Sequence, residues 1–277
     1  MTTALLALCL LGQASQPSLL CEIKDKEINE SSGLGASPGQ KGVWYTHNDS
    51  GDKPRFFRFD EKGKVTGEFE LKGIKAFDWE DMAVARVKGE NWIYLGDIGD
   101  NARIRKNIVI HRVKEPKAGD KSKTYERFDS WTIKYPDAAH DCEALMVHPA
   151  TGDIWLVTKD RGEGTLVYRV KSPKGKAVIT AEKLGSITIP FNGLGAKMVT
   201  AGDISPDGTR VVIRSYAGAL EFSAVKGAFA SWFKSKPKTL NPAGETQGEA
   251  IAYSQDGRRI LTTSEGTPCR VSLVGMP

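Results

Sequence analysis

Nowhere in the 277 residues do five lysines or arginines run together, although basic residues outnumber acidic ones by 39 to 34. The net charge of +5 is scattered over a mixed surface, without the basic stripe of a nucleic-acid-binding protein. The apolar run at residues 4–11 is far shorter than the roughly 20 residues that cross a bilayer, so no membrane span is expected. The four cysteines form no C-x-x-C pair and the four histidines no ligand spacing, which argues against a zinc site. No Gly-x-Ser-x-Gly, phosphate-binding glycine loop, His-Glu-x-x-His or dinucleotide fingerprint occurs. A hydrophobic content of 40% excludes a disordered chain.

What is present begins with a leader-like segment. Residues 1–14 are apolar over 4–11 and end in "GQA", resembling a short secretory signal cleaved after Ala14, though the usual n-region cation is missing. The alternative is a buried N-terminal strand. Cleavage leaves Cys21, Cys142 and Cys269 in a secreted or periplasmic protein, where one disulfide is permitted.

The rest of the chain repeats. "SSGLGASPGQKGVWYTHNDSG", "DWEDMAVARVKGENWIYLGDIGDN", "DCEALMVHPATGDIWLVTKDRG", "VTAGDISPDGTRVVIRSYAG" and "GEAIAYSQDGRRILTTSEG" each hold a short apolar run, a Gly-containing turn, a β-rich run and a polar loop. Asp-Gly between two such runs is a strong hairpin signal. Anchored on Ser32, Glu80, Glu143, Thr200 and Glu249, the copies lie 48, 63, 57 and 49 residues apart, the length of a propeller blade. Between them lie further strands such as "RFFRFD", "IVIHRV" and "TLVYRV". The fourth copy is less regular, with a helical turn expected in "GAFASWFKS" and a weak strand in "KTL". The fifth copy lacks an outer strand, and "SLLCEIKDKEI" is a spare one. We therefore expect an all-β, five-bladed β-propeller of four-stranded blades over residues 15–277, its ring closed by the N-terminal strand. Closure puts Cys21 and Cys269 on neighbouring strands, where a disulfide is expected; two buried, unpaired thiols are the alternative. Cys142 reads as a buried thiol.

Asp and Glu are poor strand formers, yet they recur at strand boundaries. In a blade, the loop leading into the first strand and the loop after the second lie on one face of the ring. The first set brings Ser32, Asp78, Glu80, Asp81, His140, Asp141, Glu143, Thr200 and Glu249 to that mouth. The second brings Asn48, Asp49, Asp52, Asp97, Asp100, Asn101, Lys159, Asp160, Arg161, Arg214, Tyr216 and Glu265. Three glutamates at the axis, roughly 5 Å apart, would repel by about 3 kcal/mol per pair at an effective dielectric of about 20. They must bind a cation, hold protons or splay apart. Oxygen-only ligands favour a hard ion, and several carboxylates favour Ca2+ over Mg2+, giving Glu80, Glu143 and Glu249 as expected ligands. The blander reading is that these glutamates accept backbone N–H bonds or lean to solvent. Asn48, Asp97, Asp100, Asn101, Lys159, Arg161 and Arg214 form a ligand-binding set suited to an anionic small molecule, or an ordinary salt-bridged loop face. His47 and His140 are acid–base candidates on the mouth side; His111 and His148 read as structural.

These segments resemble the calcium-activated nucleotidases, the soluble apyrases, over most of residues 30–266. That family is a five-bladed propeller with axial calcium, its blades supplying Ser, Glu, Glu, Ser and Glu where this chain has Ser32, Glu80, Glu143, Thr200 and Glu249, which the resemblance implies as the metal set. "ESSGL", "WEDMAV" with "WIYLGDIG", "HDCEALMVHPATGDIWLVTKDR" and "GEAIAY" are similar to its motifs. The resemblance implies Asp49 as the catalytic acid of "HNDSGD". The family's arginine pair is replaced by Lys159-Asp160-Arg161, and its long insert in the second blade is missing. The chain also resembles secreted bacterial propellers of unassigned function with Asp-Trp-Glu-Asp and Gly-Asp-Ile-Gly-Asp-Asn motifs, and phytase-like and lactonase-type propellers in architecture only. Two functions are expected: a calcium-dependent hydrolase of phosphate-containing or other anionic small molecules, or a non-catalytic propeller whose mouth binds a ligand or protein partner.

Overall fold

A computed structural model of the chain describes residues 15–175, 177–193, 195–224 and 228–275. The leader expected at residues 1–14 lies outside them. After β1 (Ser18–Ile23), blade 1 comprises β2 (Ser31–Ala36), β3 (Val43–Asn48), β4 (Arg55–Asp60) and β5 (Val65–Leu71). Blade 2 comprises β6 (Trp79–Val87), β7 (Glu90–Asp97), β8 (Ile108–Lys114) and, beyond the short β9 (Ser122–Tyr125), β10 (Asp129–Lys134). Blade 3 comprises β11 (Cys142–Val147), β12 (Ile154–Thr158), β13 (Thr165–Val170) and, past β14 (Ile179–Thr180), β15 (Glu182–Ile187). Blade 4 comprises β16 (Val199–Ile204), β17 (Arg210–Ser215), β18 (Gly218–Ser223) and β19 (Lys238–Leu240). Blade 5 is β20 (Gly248–Tyr253), β21 (Ile260–Ser264), β22 (Cys269–Leu273) and β1.

The ring closes through the N-terminal strand, as the repeat implies: β1 runs antiparallel to β22 with Ile23 opposite Cys269 and Cys21 opposite Val271. The first strands β2, β6, β11, β16 and β20 neighbour one another around the axis. Each seam between blades carries its own apolar cluster. Tyr45, Phe56 and Phe69 meet Trp79 and Met82 between blades 1 and 2; Trp155 and Val157 meet Val211 and Trp232 between blades 3 and 4. Such sheet-on-sheet burial is the dominant favourable contribution to the fold. The hairpins of the fourth and fifth copies are chemically the same turn. Gly208 and Gly257 adopt positive φ of 70° and 68°, and Asp207 and Asp256 each accept a bond from the Ser Oγ two residues earlier at 2.6 Å.

Two features depart from expectation. The Cys21–Cys269 disulfide is absent, and both thiols are free and buried. Their strands pair, but the two residues are diagonal, not opposed. Diagonal partners lie roughly 7–8 Å apart in an antiparallel pair, beyond disulfide reach. Burial pushes the Cys21 thiol up to about 11 and Cys269 up to about 12. The crossovers also carry strands that the repeat does not reveal: β9 adds in parallel to the outer edge of blade 1, and β14 to that of blade 2. The turn expected in "GAFASWFKS" is a short 3-10 helix, Phe229–Lys234, that buries Trp232 in the seam. No helix among the described residues is long and apolar enough to cross a membrane.

Candidate metal centre

The five anchor residues share one backbone feature. Each first strand shifts register against its neighbour near its start: between Ser31 and Gly33, Trp79 and Met82, Cys142 and Ala144, Val199 and Ala201, and Gly248 and Ala250. The residues skipped are Ser32, Glu80 with Asp81, Glu143, Thr200 and Glu249. A β-bulge re-aims side chains where a flat ladder could not, and all five anchors are buried.

Carboxylates then gather around Glu80. Ligand atoms of Asp49, Asp78 and Glu80 lie within 4.8 Å of one another, and so do those of Glu80, Asp141 and Glu143. This cluster can hold a metal ion. Glu80 is only 6% exposed. Its carboxylate accepts no hydrogen bond from the described residues, whereas nearly all buried polar groups do, and neither does that of the half-buried Asp78. Burial, with Glu143, Asp49 and Asp78 nearby, holds Glu80 well above the usual carboxylate range. Burial, with Asp49 and Asp141, raises Asp78 to about 6. A Cβ on Gly99 would fall 2.2 Å from Glu80 Oε1 and 2.6 Å from Asp78 Oδ2. The "GDIGDN" loop thus packs bare backbone against the two carboxylates, its Ile98 and Gly99 N–H groups bonding Asp78 O. An all-oxygen cradle with unpaired carboxylates suits a hard divalent cation.

Two cations pair directly with carboxylates of the cluster, both on the side of Glu143 and Asp141. Lys159 Nζ donates to Glu143 Oε1 at 2.7 Å. Burial lifts Glu143 while the ammonium opposes it, and the Glu143, Glu80 and Asp141 charges hold Lys159 above its usual range against the cost of burial. Arg161 grips Asp141 Oδ2 through Nε and Nη2 at 3.1 and 2.8 Å, and its Nη2 also reaches Asn101.

The other expected residues are also bonded within the protein. Ser32 Oγ donates to Glu80 O, and Thr200 Oγ1 to Gly248 O at 3.0 Å, each joining adjacent blades. Glu249 accepts from Tyr216 OH at 2.9 Å and lies outside both carboxylate groups. Asn48 donates to Glu27 O and Asp52, pinning the turn between β1 and β2. Asp97 accepts from the N–H groups of Phe77 and Asp78 and from Arg105. Asp100 accepts from Ile104 and Arg105 N–H groups within its own loop. Arg214 is 1% exposed, donating to Ala250 O and to Glu245 at 2.6 Å across the seam of blades 4 and 5. His47 is enclosed and its Nδ1 meets Asn48 O; His140 is held by Asp137, Glu163 and Tyr168.

Asp78 and Asp141 belong to the mouth by their place in the repeat, yet recurrence at one position singled out the glutamates instead. Arg105, which ties Asp97 to Gly99 O, has no signal in the repeat. Asp81 is a further axial group: its Oδ2 accepts from Leu145 and Gly202 N–H groups at 2.9 and 3.2 Å, tying three blades.

Fold and site together define a five-bladed β-propeller with a buried carboxylate cluster at one mouth. No protein-family model matches the chain and no curated protein does. Among solved structures it is similar to a gluconolactonase from Xanthomonas campestris, described as important in glucose secondary metabolic pathways. The TM-score is 0.51 at 10% identity, over 96% of each chain. At that identity the likeness shows the fold alone.

Proposed function

We propose that the chain is a secreted, calcium-dependent hydrolase of a small anionic molecule, with the carboxylate mouth as its active site. The observation that carries this reading is Glu80, buried, without a donor and shared between two carboxylate triples. The leader-like residues 1–14 support export, and the nucleotidase motifs together with the lactonase-like fold support hydrolysis.

In this reading Asp78 and Glu80 are fixed ligands, held by the "GDIGDN" backbone. A bound calcium ion supplies Lewis acidity toward the substrate's charged oxygen. Asp49, partly exposed at the rim, accepts through Oδ1 only from Ser50 N–H; its Oδ2 takes the proton of the attacking water. Arg161, whose side chain is 27% exposed, orients the anionic group with its free edge. Ordered blade seams hold these groups in place before substrate arrives, the requirement for electrostatic stabilisation of developing charge.

One observation favours a non-catalytic, ligand-binding propeller: Lys159 and Arg214 are both buried in ion pairs, leaving few cations for a transition state. Turnover separates the two. Nucleoside di- and triphosphates, phosphate esters and lactones, assayed with calcium and with chelator, should give calcium-dependent hydrolysis in at least one class. Silence across all classes, with calcium bound, selects the binder.

A further inference from the structure

We propose that Lys159 is a built-in counter-ion that closes the deeper carboxylate triple, Glu80, Asp141 and Glu143, to metal, so that the mouth takes a single divalent cation in the shallower triple, Asp49, Asp78 and Glu80. This rests on the reading that the mouth binds a divalent cation.

The two triples share Glu80 but differ in their other members. In the deeper one, each outer carboxylate already has a cation: Lys159 on Glu143 at 2.7 Å and Arg161 on Asp141 at 2.8 Å. In the shallower one, among the described residues, the Asp78 carboxylate accepts nothing and that of Asp49 only a neighbouring backbone N–H. A dication in the deeper triple would sit beside two positive charges fixed on its own carboxylates. In the shallower one the nearby cation, Arg105, is bonded to Asp97 and Gly99 O rather than to any carboxylate of the triple.

The placement of Lys159 follows from local structure. It is the first residue after β12, and its N–H bonds Asp141 O. The bulge that skips Glu143 lies directly beside it. The Lys159 side chain is 9% exposed, and Nζ lies 5.7 Å from the centroid of the Tyr216 ring, whose hydroxyl holds Glu249. The ammonium therefore stands between the glutamates of blades 3 and 5, where sequence reasoning puts an axial ion.

Calorimetric titration of demetallated, full-length protein with calcium tests this. Wild type should bind one ion and Lys159→Met two. Glu143→Gln tests the same point without removing the lysine. Glu143 is not a ligand here, so the Kd should stay within about a hundredfold of wild type, the upper scale of effects outside the ligand shell. Two ions in wild type, one ion at unchanged Kd in Lys159→Met, or a loss beyond about a hundredfold in Glu143→Gln overturns the counter-ion. Absence of binding in all three proteins sinks the underlying metal reading as well, and so separates the two failures.

Discussion

Gly99 and Glu80 are in contact through bare backbone: a Cβ at position 99 would stand 2.2 Å from Glu80 Oε1. The φ of Gly99 is not left-handed, so alanine meets no backbone strain there. Gly99→Ala must instead push the Glu80 and Asp78 carboxylates apart. The expected result is a folded protein with calcium affinity at least about tenfold weaker, because ligand placement tunes affinity in oxygen sites. Isothermal titration against wild type checks this. An unchanged Kd would separate the ion from Glu80.

Calcium should stabilise the fold, because its ligands come from separate blades. At a hundredfold excess over Kd, binding to the native state alone is worth about 2.7 kcal/mol, or roughly 5 °C or more in Tm for a domain of this size. Magnesium should do less, since it demands tighter octahedral geometry. Differential scanning calorimetry of demetallated protein with each ion reads this out. Equal melting with calcium and with chelator counts against the site.

The architecture was legible because bulged anchors, Asp-Gly turns and a missing outer strand all leave marks in the sequence. The site was legible only in part. A repeat alignment can bring Lys159 and Arg214 to the mouth, but cannot tell that one turns onto Glu143 and the other into a seam. That depends on burial and on which acceptors lie opposite, namely Ala250 O and Glu245 for Arg214. The cysteine pair failed for a register reason. Neighbouring strands were read correctly, but a two-residue offset in pairing is invisible until the ladder is known.

The metal-free mouth should make stability depend on pH. Burial, with Asp49 and Asp141, raises Asp78 from 3.8 to about 6, and Glu80 moves the same way. The native state therefore binds more protons than the unfolded chain across that interval. Asp78's contribution is fully present below about pH 4 and is lost as pH rises through about 6. Melting in chelator should fall over this window, while calcium affinity rises as the ligands ionise. Asp203, buried and raised to about 7, adds a slope of the same sign, so Asp78→Asn should flatten the curve without abolishing its upper end. Chelated wild type and Asp78→Asn with identical pH profiles would count against Asp78's assignment.

Asp49 has two separable roles. It belongs to the shallower carboxylate triple, so Asp49→Asn should weaken calcium binding. As the base assigned to the attacking water, it should also lower kcat by about 10²–10⁴, and saturating calcium should not restore that loss. A ligand-only role predicts the opposite, with full turnover returning once the weakened site is filled. The amide preserves the size of the carboxylate, and Asp49 is partly exposed with one local hydrogen bond, so the fold should melt within about 1 °C of wild type when both are metal-free, as expected for a surface substitution. Steady-state kinetics across a calcium titration, on whichever substrate turns over, distinguishes the roles: recovery at high calcium leaves Asp49 a ligand, and persistent loss makes it the base.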